Sequence, residues 1–511
     1  MSEEAGGLQP LVIDTRQHTW TNRHQTYTQQ LLGIYDIWNP TGAGSPLSRY
    51  NATTRGLQDL IADAVMDRVH LRALGSGWSL SGAPATDGRM VNTKPLNLYF
   101  RLAPRMVDTR YTGEAAGLHF VQCGCAIVEL NTRFRRLGRS LKTSGASNGQ
   151  TIVGALSTGT HGSAIDRGAI HDTVVGMHLL VGPRRHIWLE RASHPVTSDE
   201  FARQLGAELV RDDALFDAAI VSFGGFGIIH GVLLETDPLF LLKVYRQRMP
   251  LDGALRRALD TLDFSGLALP GGRERPYHFQ VVVNPFAPTA SAHVITLYRR
   301  PFRPDYPRPE INLDGLGPGD DAAAFIGLVT DLAPPAIPFA VNQVLARAYP
   351  DINGVEGTLG EVFTNTTIRG RVASTAMGLP ISRATEALDL VQRLNREEGP
   401  FPVLIAFRYV KQTRATLGWT RFEPTCVLEL DGPLSDRILS LYRRVWAALR
   451  ERGIPHTLHW GKQLELGAGA VREMYGDAVD RWLDARNTLL DAESRRVFSN
   501  RFQEELGLAT P

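Results

Sequence analysis

The sequence contains few cysteines, no long apolar run and almost no net charge. Only three cysteines occur in 511 residues, so we expect no disulfide framework and a reducing, cytoplasmic environment. No apolar run reaches the length of a membrane span, and the opening MSEEAGGLQP lacks the basic and then apolar order of an export signal. The 55 basic and 53 acidic residues are spread along the chain, so we expect no basic surface for nucleic acid.

Several common catalytic motifs are absent as well. The chain has no Gly-x-x-x-x-Gly-Lys-Ser/Thr phosphate loop, no His-Glu-x-x-His zinc pair and no Gly-x-Ser-x-Gly nucleophile elbow. The fingerprint Gly-x-Gly-x-x-Gly is also missing, because in the set Gly225, Gly227 and Gly231 the last glycine comes one residue too late. These absences argue against a nicotinamide-binding Rossmann domain.

Length and periodicity predict an α+β protein with more than one domain. Helical spacing of apolar residues runs from 51 to 68, and a second helix is expected over 126–137, ended by Gly138. Shorter strands are predicted at 173–181 and 228–236. Longer alternating stretches predict an antiparallel sheet, with an exposed loop near 313–321; the stretches are 277–284, 293–300, 401–410 and 426–432.

Two loops rich in glycine and hydroxyl residues carry the strongest chemical signal. They read LGSGWSLSG from Leu74 and TSGASNGQTIVGALSTGTHGS from Thr143. Successive backbone amides in such loops form an anion-binding concavity, and Gly75 and Gly77 are expected to let the backbone approach phosphate oxygens. Either loop alone could be an ordinary turn. Together with a third loop, GGFG, they favour a dinucleotide whose pyrophosphate is held from two sides.

The order of these segments resembles a known family. VHLRALGSGWSLSG, QTIVGALSTGTHGS, DTVVGMHLLVG and ALFDAAIVSFGGFGIIHGVLLET resemble the PCMH-type FAD-binding domain of the vanillyl-alcohol oxidase superfamily. HTLHWGKQLEL and the C-terminal segment YGDAVDRWLDARNTLLDAESRRVFSNRF resemble its aldonolactone and alditol oxidase branch. The resemblance covers about residues 50–236 and 401–505. It implies a two-subdomain FAD-binding domain at 1–236, completed by about 471–511, and a substrate domain at 237–470 whose antiparallel sheet is covered by helices.

The resemblance implies FAD as the cofactor, bound without a covalent link. Many relatives carry at the place of Trp78 a histidine that bonds to the flavin, and indole cannot replace it; the cysteine that some relatives use for a second bond is missing too. Replacing Ser81 by alanine is expected to change flavin retention little. The implied cofactor-binding residues are Leu74, Gly75, Ser76, Gly77, Trp78, Ser79, Ser144, Gly145, Ala146, Ser147, Thr151, Gly154, Ser157, Gly159, Thr160, His161, Gly162, Gly227, Ile228, Ile229 and Lys462.

The catalytic residues implied by the resemblance are Lys462, His459 and Arg408. Lys462 resembles the family lysine that faces the flavin, where a cation stabilises the reduced ring. The alternative for Lys462 is a surface lysine. His459 could instead be a hydrogen-bonded core histidine, and Arg408 a structural arginine. The polyol-oxidising branch carries a glutamate and a histidine where this chain has Ala406 and Leu428. An apolar wall at these two positions implies a substrate less polar than a sugar alcohol.

These observations lead to one main functional hypothesis with two alternatives. We expect an FAD-dependent oxidoreductase that removes a hydride from a carbon bearing oxygen or nitrogen and passes the electrons to oxygen or another acceptor. The alternatives are a flavin-dependent tailoring or cyclising oxidase of secondary metabolism, and a protein that binds FAD without turnover.

Overall fold

The computed structural model describes residues 8–42, 44–287, 289–309, 334–366 and 371–509. The strands within these residues, in chain order, are β1 (Leu11–Asp14), β2 (Thr19–Thr21), β3 (Thr28–Gln30), β4 (Gly33–Trp38), β5 (Leu71–Leu74), β6 (Arg89–Asn92), β7 (Tyr99–Arg101), β8 (Leu118–Gln122), β9 (Arg139–Ser140), β10 (Val174–Leu180), β11 (His186–Glu190), β12 (Glu208–Arg211), β13 (Ile228–Glu235), β14 (Asp237–Pro238), β15 (Phe240–Pro250), β16 (His278–Val283), β17 (Ser291–Pro301), β18 (Ile352–Thr358), β19 (Val372–Pro380), β20 (Leu404–Val410), β21 (Thr425–Pro433) and β22 (Thr457–Leu458).

The α-helices of the same residues alternate with these strands. They are α1 (Pro46–Met66), α2 (Ile127–Arg136), α3 (Ile152–Ser157), α4 (Asp199–Leu205), α5 (Asp213–Ala219), α6 (Gly253–Thr261), α7 (Ile337–Ala348), α8 (Leu359–Val362), α9 (Ala384–Glu397), α10 (Asp436–Glu451), α11 (Ala468–Tyr475), α12 (Ala478–Leu489), α13 (Ala492–Val497) and α14 (Arg501–Glu505).

Two sheets form the N-terminal part. One has the strand order β1–β4–β6–β5, and the other has the order β12–β11–β10–β13–β8–β7. Helix α1 contacts strands of both sheets, because its apolar stripe, which includes Leu57 and Ile61, is fully buried. Ser45 caps this helix by accepting the Ser48 N–H, and Pro46 at its first turn needs no amide partner.

An eight-stranded antiparallel sheet forms the rest of the scaffold, in the order β18–β15–β17–β16–β20–β21–β19–β22. Phe407 and Leu428 pack on the core that includes α9 and α10. Ala406 and Val427 belong to the core on the opposite face, which is shared with the N-terminal sheets. Because side chains alternate along a strand, each strand of this sheet gives one set of residues to the helices and the other set to the N-terminal part.

The C-terminal helices return to the N-terminal part and pack on it. Helix α12 contacts α5, and the buried Arg486 donates to the Gly225 carbonyl at 2.8 Å. Arg72 donates to the carbonyls of Gly224 and Phe498 at 3.1 and 3.0 Å. Burial lowers the pKa of Arg72 to about 9.

The α+β class and the main predicted elements are confirmed. The predicted helix at 51–68 starts earlier, at Pro46, because the Ser45 cap precedes it. Gly138 has a φ of 67° and follows the end of α2, as the helix-ending prediction required. The loop predicted near 313–321 lies outside the described residues. Within the described ranges, no helix is both long and apolar enough to cross a membrane.

Candidate active site

A large pocket lies between the glycine-rich loops and the eight-stranded sheet. On the loop side it is lined by residues of three segments, at 71–80, 145–161 and 223–229. On the sheet side the lining includes Gln280, Arg408 and Glu429, and His459 and Lys462 complete it. The loops and the candidate catalytic residues therefore share one cavity.

The first loop presents unused hydrogen-bond donors at this cavity. The backbone N–H groups of Ser76, Gly77, Trp78 and Ser79 find no acceptor within the described part of the chain. The Ser76 hydroxyl and the Trp78 Nε1 are buried without an acceptor in the same set of residues. Buried donors are normally satisfied, so this loop is suited to a ligand with several acceptor oxygens.

Packing explains one glycine of this loop, and backbone conformation explains the other. A Cβ atom on Gly75 would lie 2.2 Å from the Thr151 Oγ1, so Gly75 allows the first and second loops to pack against each other. Gly77 has a φ of 70°, a left-handed conformation that favours glycine. Gly75 therefore lets two loops pack together and Gly77 sets the turn; the expectation that both glycines let the backbone approach phosphate oxygens stays a prediction.

The structure brings most of the implied cofactor-binding residues together around the pocket. Three lie outside its lining: Ser144, Gly159 and Gly162. The Ser144 hydroxyl donates to the Asn148 side chain at 2.9 Å, and the Gly159 carbonyl accepts from the Trp419 indole at 2.8 Å. The implied residues on the lining are Leu74, Gly75, Ser76, Gly77, Trp78, Ser79, Gly145, Ala146, Ser147, Thr151, Gly154, Ser157, Thr160, His161, Gly227, Ile228, Ile229 and Lys462.

Lys462 is held at the sheet wall by a carboxylate that the sequence analysis missed. Its Nζ donates to a Glu429 carboxylate oxygen and, at 2.7 Å, to the Ser374 hydroxyl. The other Glu429 oxygen lies 2.5 Å from Arg408 Nη1. The side chain of Glu429 is only 4% exposed, so one buried carboxylate joins the two cations. Asp431, 4.0 Å from the Lys462 Nζ, adds a second negative charge.

The prediction that Leu428 lines the site was wrong. Leu428 pairs with Phe407 and packs in the helix-covered core, whereas the next residue, Glu429, lies opposite Ala406 and lines the pocket. A one-residue offset along a strand reverses the face. The available signal was the pair of acids Glu429 and Asp431, which stand two residues apart on one face of an otherwise apolar strand.

Two buried histidines at the pocket are neutral and carry their protons on opposite nitrogens. The Nδ1 of His459 accepts the Gly461 N–H at 2.9 Å, so its proton is on Nε2. The Nδ1 of His161 lies 2.8 Å from the Gly162 carbonyl and must donate to it, which leaves its Nε2 as an acceptor. Burial lowers the pKa of His459 to about 3 and that of His161 well below its usual value.

The HWGK segment is tied to the first loop. The Leu80 N–H donates to the Gly461 carbonyl at 2.9 Å, and the Ser81 hydroxyl donates to the Trp460 carbonyl at 2.5 Å. Ser81 is 5% exposed. The expectation that Ser81 matters little is therefore revised, because its hydroxyl links the loop to the segment that carries Lys462.

These features together fit FAD. The unused N–H donors of the first loop are suited to pyrophosphate oxygens, and the same cavity continues to Lys462, where a cation can face the redox ring. The residues that would hold the cofactor are those of the first, second and third loops on the pocket lining.

Comparison with known proteins supports the same conclusion. Residues 50–184 match the family model described as "FAD binding domain". This part of the chain is an FAD-binding domain. An L-gulono-1,4-lactone dehydrogenase of Mycobacterium tuberculosis is 25% identical over 476 residues, covering 91% of this chain and 99% of the relative. L-gulonolactone oxidase 3 of Arabidopsis thaliana is 23% identical and covers 83% of this chain and 74% of the relative.

A solved structure shares the whole fold. Cholesterol oxidase from Brevibacterium sterolicum superposes with a TM-score of 0.68 at 15% identity, over 97% of each chain. The α+β fold and FAD as the cofactor are confirmed, and the domain match, the relatives and the solved structure together fit the resemblance to the vanillyl-alcohol oxidase superfamily. The chain is an FAD-linked oxidoreductase.

Proposed function

We propose that this FAD-dependent enzyme oxidises a secondary alcohol group of a small, partly hydroxylated molecule of the lactone class. The observation that carries the proposal is the Lys462–Glu429–Arg408 ion-pair cluster at the sheet wall of the FAD pocket. The names of the similar proteins, which act on gulonolactone, support the lactone class. When bound, FAD would supply the hydride acceptor for this oxidation, and the hydroxyl proton of the substrate would leave to solvent.

The cluster and the neighbouring His459 would bind the substrate and stabilise charge. Lys462 supplies a positive charge where negative charge grows during the reaction. Arg408 orients a substrate oxygen, because its planar fork can donate to it while Glu429 fixes the guanidinium. His459 donates a hydrogen bond from Nε2, since its Nδ1 already accepts from the Gly461 N–H.

The pocket also has an apolar wall, which supports a substrate less polar than a polyol. Val282, Leu404, Ala406 and Tyr349 line the pocket beside the charged cluster. A molecule with one hydroxylated edge and one apolar edge matches both walls. With Leu428 removed from the lining, this part of the proposal depends on these four residues.

We further propose the division into a cofactor domain at 1–236, completed by about 471–511, and a substrate domain at 237–470. The eight-stranded sheet begins at Phe240 and ends at Leu458, and the C-terminal helices pack on the N-terminal part; both observations support this division.

Cys123, Cys125 and Cys426 are buried and unpaired, which supports a cytoplasmic location.

An anaerobic titration tests the proposed activity. Aldonolactones and secondary alcohols are expected to bleach the flavin absorbance of the purified protein, and amines are not. Unchanged absorbance with every donor, in protein that holds FAD, would identify a binder without turnover. Mass spectrometry of the product separates loss of two hydrogens from cyclisation.

Acid precipitation is expected to release all flavin to the supernatant, because Trp78 offers no attachment point; colour in the pellet would contradict non-covalent binding.

A further inference from the structure

The N-terminal hairpin, residues 19–30, lies against the first FAD loop. Strands β2 and β3 pair to form it, and it precedes the region that matches the FAD-binding family. The Arg23 N–H donates to the Gly77 carbonyl at 2.8 Å, and the Asn22 side chain donates to the Ser79 carbonyl at 3.0 Å. The Tyr27 hydroxyl donates to the Ser81 carbonyl at 3.1 Å. The hairpin thus holds the loop's carbonyls, while the loop's N–H groups remain for the cofactor.

The same hairpin encloses Trp78, the residue at the place of the missing covalent link. The Arg23 guanidinium lies 5.3 Å from the Trp78 ring centroid, and the His24 ring meets the indole edge-on at 5.6 Å. The indole also packs closely on Gly149, where a Cβ would come within 2.4 Å of the ring. Trp78 is therefore fixed by the hairpin and by the second loop.

His24 reaches the pocket itself. It is 4% exposed and belongs to the pocket lining, although it lies outside both glycine-rich loops. The hairpin also bonds to the sheet side of the protein, because the Arg23 guanidinium donates to the Thr366 carbonyl at 3.1 Å and Arg371 donates to the Gln25 carbonyl at 3.1 Å. It therefore bridges the two walls between which the cofactor must lie.

We propose that the N-terminal hairpin is a clamp that retains FAD, with His24 contacting the cofactor and Arg23 holding Trp78 against it. The clamp supplies by packing the retention that relatives obtain from a covalent bond. This inference depends on the proposed non-covalent binding of FAD, and it assigns retention to residues outside the matched FAD-binding region.

The rate of FAD release from the full-length holoenzyme tests the clamp. Release is followed by the rise of flavin fluorescence after dilution. His24→Ala is expected to accelerate release about tenfold and Arg23→Ala about threefold, since a partly exposed cation–π contact contributes modestly. Arg23→Ala combined with Trp78→Ala should add little to Trp78→Ala alone, because both changes break one contact. His24→Phe, which keeps a ring, should retain part of the effect of His24.

Thr28→Ala is the matched control. Thr28 is exposed on β3, and among the described residues its side chain bonds to the Thr21 hydroxyl, so its replacement should leave release unchanged. Equal melting temperatures of the apo variants would show that the fold is intact. Release rates of His24→Ala and Arg23→Ala equal to the parent rate would overturn the clamp. A parent protein that never takes up FAD would instead overturn the proposed function.

Discussion

Glu429 lies directly opposite Ala406 in the antiparallel pair formed by β20 and β21. Both residues line the pocket, so the carboxylate that joins Lys462 to Arg408 comes from the neighbouring strand rather than from the strand that carries the arginine. Facing side chains on paired strands have Cβ atoms about 5 Å apart. A carboxylate placed at either position can therefore reach the same two cations.

This relationship predicts the effect of moving the carboxylate. Glu429→Ala leaves two cations without their shared partner, and breaking a buried pair in this way typically costs about 3 kcal/mol of the free energy of unfolding. Substrate oxidation should fall with it. The double variant Ala406→Glu/Glu429→Ala should regain part of both losses. Thermal melting measures the loss of stability, and kcat/KM measures the loss of activity. Turnover in Glu429→Ala equal to that of the parent would show that the cluster takes no part in the mechanism.

Replacement of Lys462 should slow flavin reduction without releasing FAD. Loss of a positive charge at a partly buried site costs about 2 to 4 kcal/mol, which corresponds to roughly a thirty- to thousandfold lower rate. Lys462→Met should also lower the reduction potential of the bound flavin, and Lys462→Arg should keep part of the rate. Stopped-flow reduction measures the effect. Lys411→Met, at an exposed lysine, is the control, and equal rates in the two variants would show that Lys462 is not at the flavin.

Gly77→Val should abolish FAD retention. The left-handed backbone at Gly77 strains any side chain, and the branched side chain would displace the loop whose N–H groups face the pocket. Gly138→Val is the control, because Gly138 also has a left-handed backbone, with a φ of 67°, but lies at a helix end outside the pocket. Retained flavin absorbance after gel filtration should therefore be normal in Gly138→Val. Full retention in Gly77→Val would reduce the loop to an ordinary turn.

Buried histidines predict a loss of stability in acid. His230 accepts from the Gln122 amide at 2.9 Å, and burial lowers its pKa to about 3; burial also lowers the pKa of His178. In the unfolded chain the histidine pKa is about 6.5, so the unfolded state binds more protons below that pH. Their contribution is complete above pH 6.5 and declines as the pH falls towards 3, by about 1.4 kcal/mol per pH unit for each histidine.

Melting temperatures between pH 5 and 8 measure this decline. His230→Gln should flatten the dependence, whereas His18→Gln, at an exposed position, should leave it unchanged. An identical pH slope in the parent and in His230→Gln would contradict the assignment.

Local chemistry made the loops and the HWGK segment predictable, because glycine, hydroxyl residues and a lysine act there in short stretches of sequence. The strand partner of a site residue was not predictable in the same way. Whether Leu428 or Glu429 faces the cavity depends on strand pairing, and a shift of one residue exchanges the two faces. The charge of Glu429 within an apolar strand was the local clue to the correct face.

Long-range packing explains the other differences. Gly75 is a glycine because Thr151, far along the chain, packs against it. Residues 19–30 carry no motif, and their contact with the first loop becomes visible only in three dimensions. Periodicity identified the helices and the antiparallel sheet well, since long amphipathic stretches report their own secondary structure.

The hydrogen bonds of Arg72 join parts of the protein that are far apart in the sequence. Arg72 follows the first residue of β5, yet one of its acceptors is the Phe498 carbonyl near the end of the chain. Asn500 likewise donates to the Ala85 carbonyl at 2.8 Å, beside the first loop. This side of the pocket is therefore complete only after residues up to 500 have been made. A chain that stops before Phe498 leaves the guanidinium of Arg72 without one of its acceptors inside the protein.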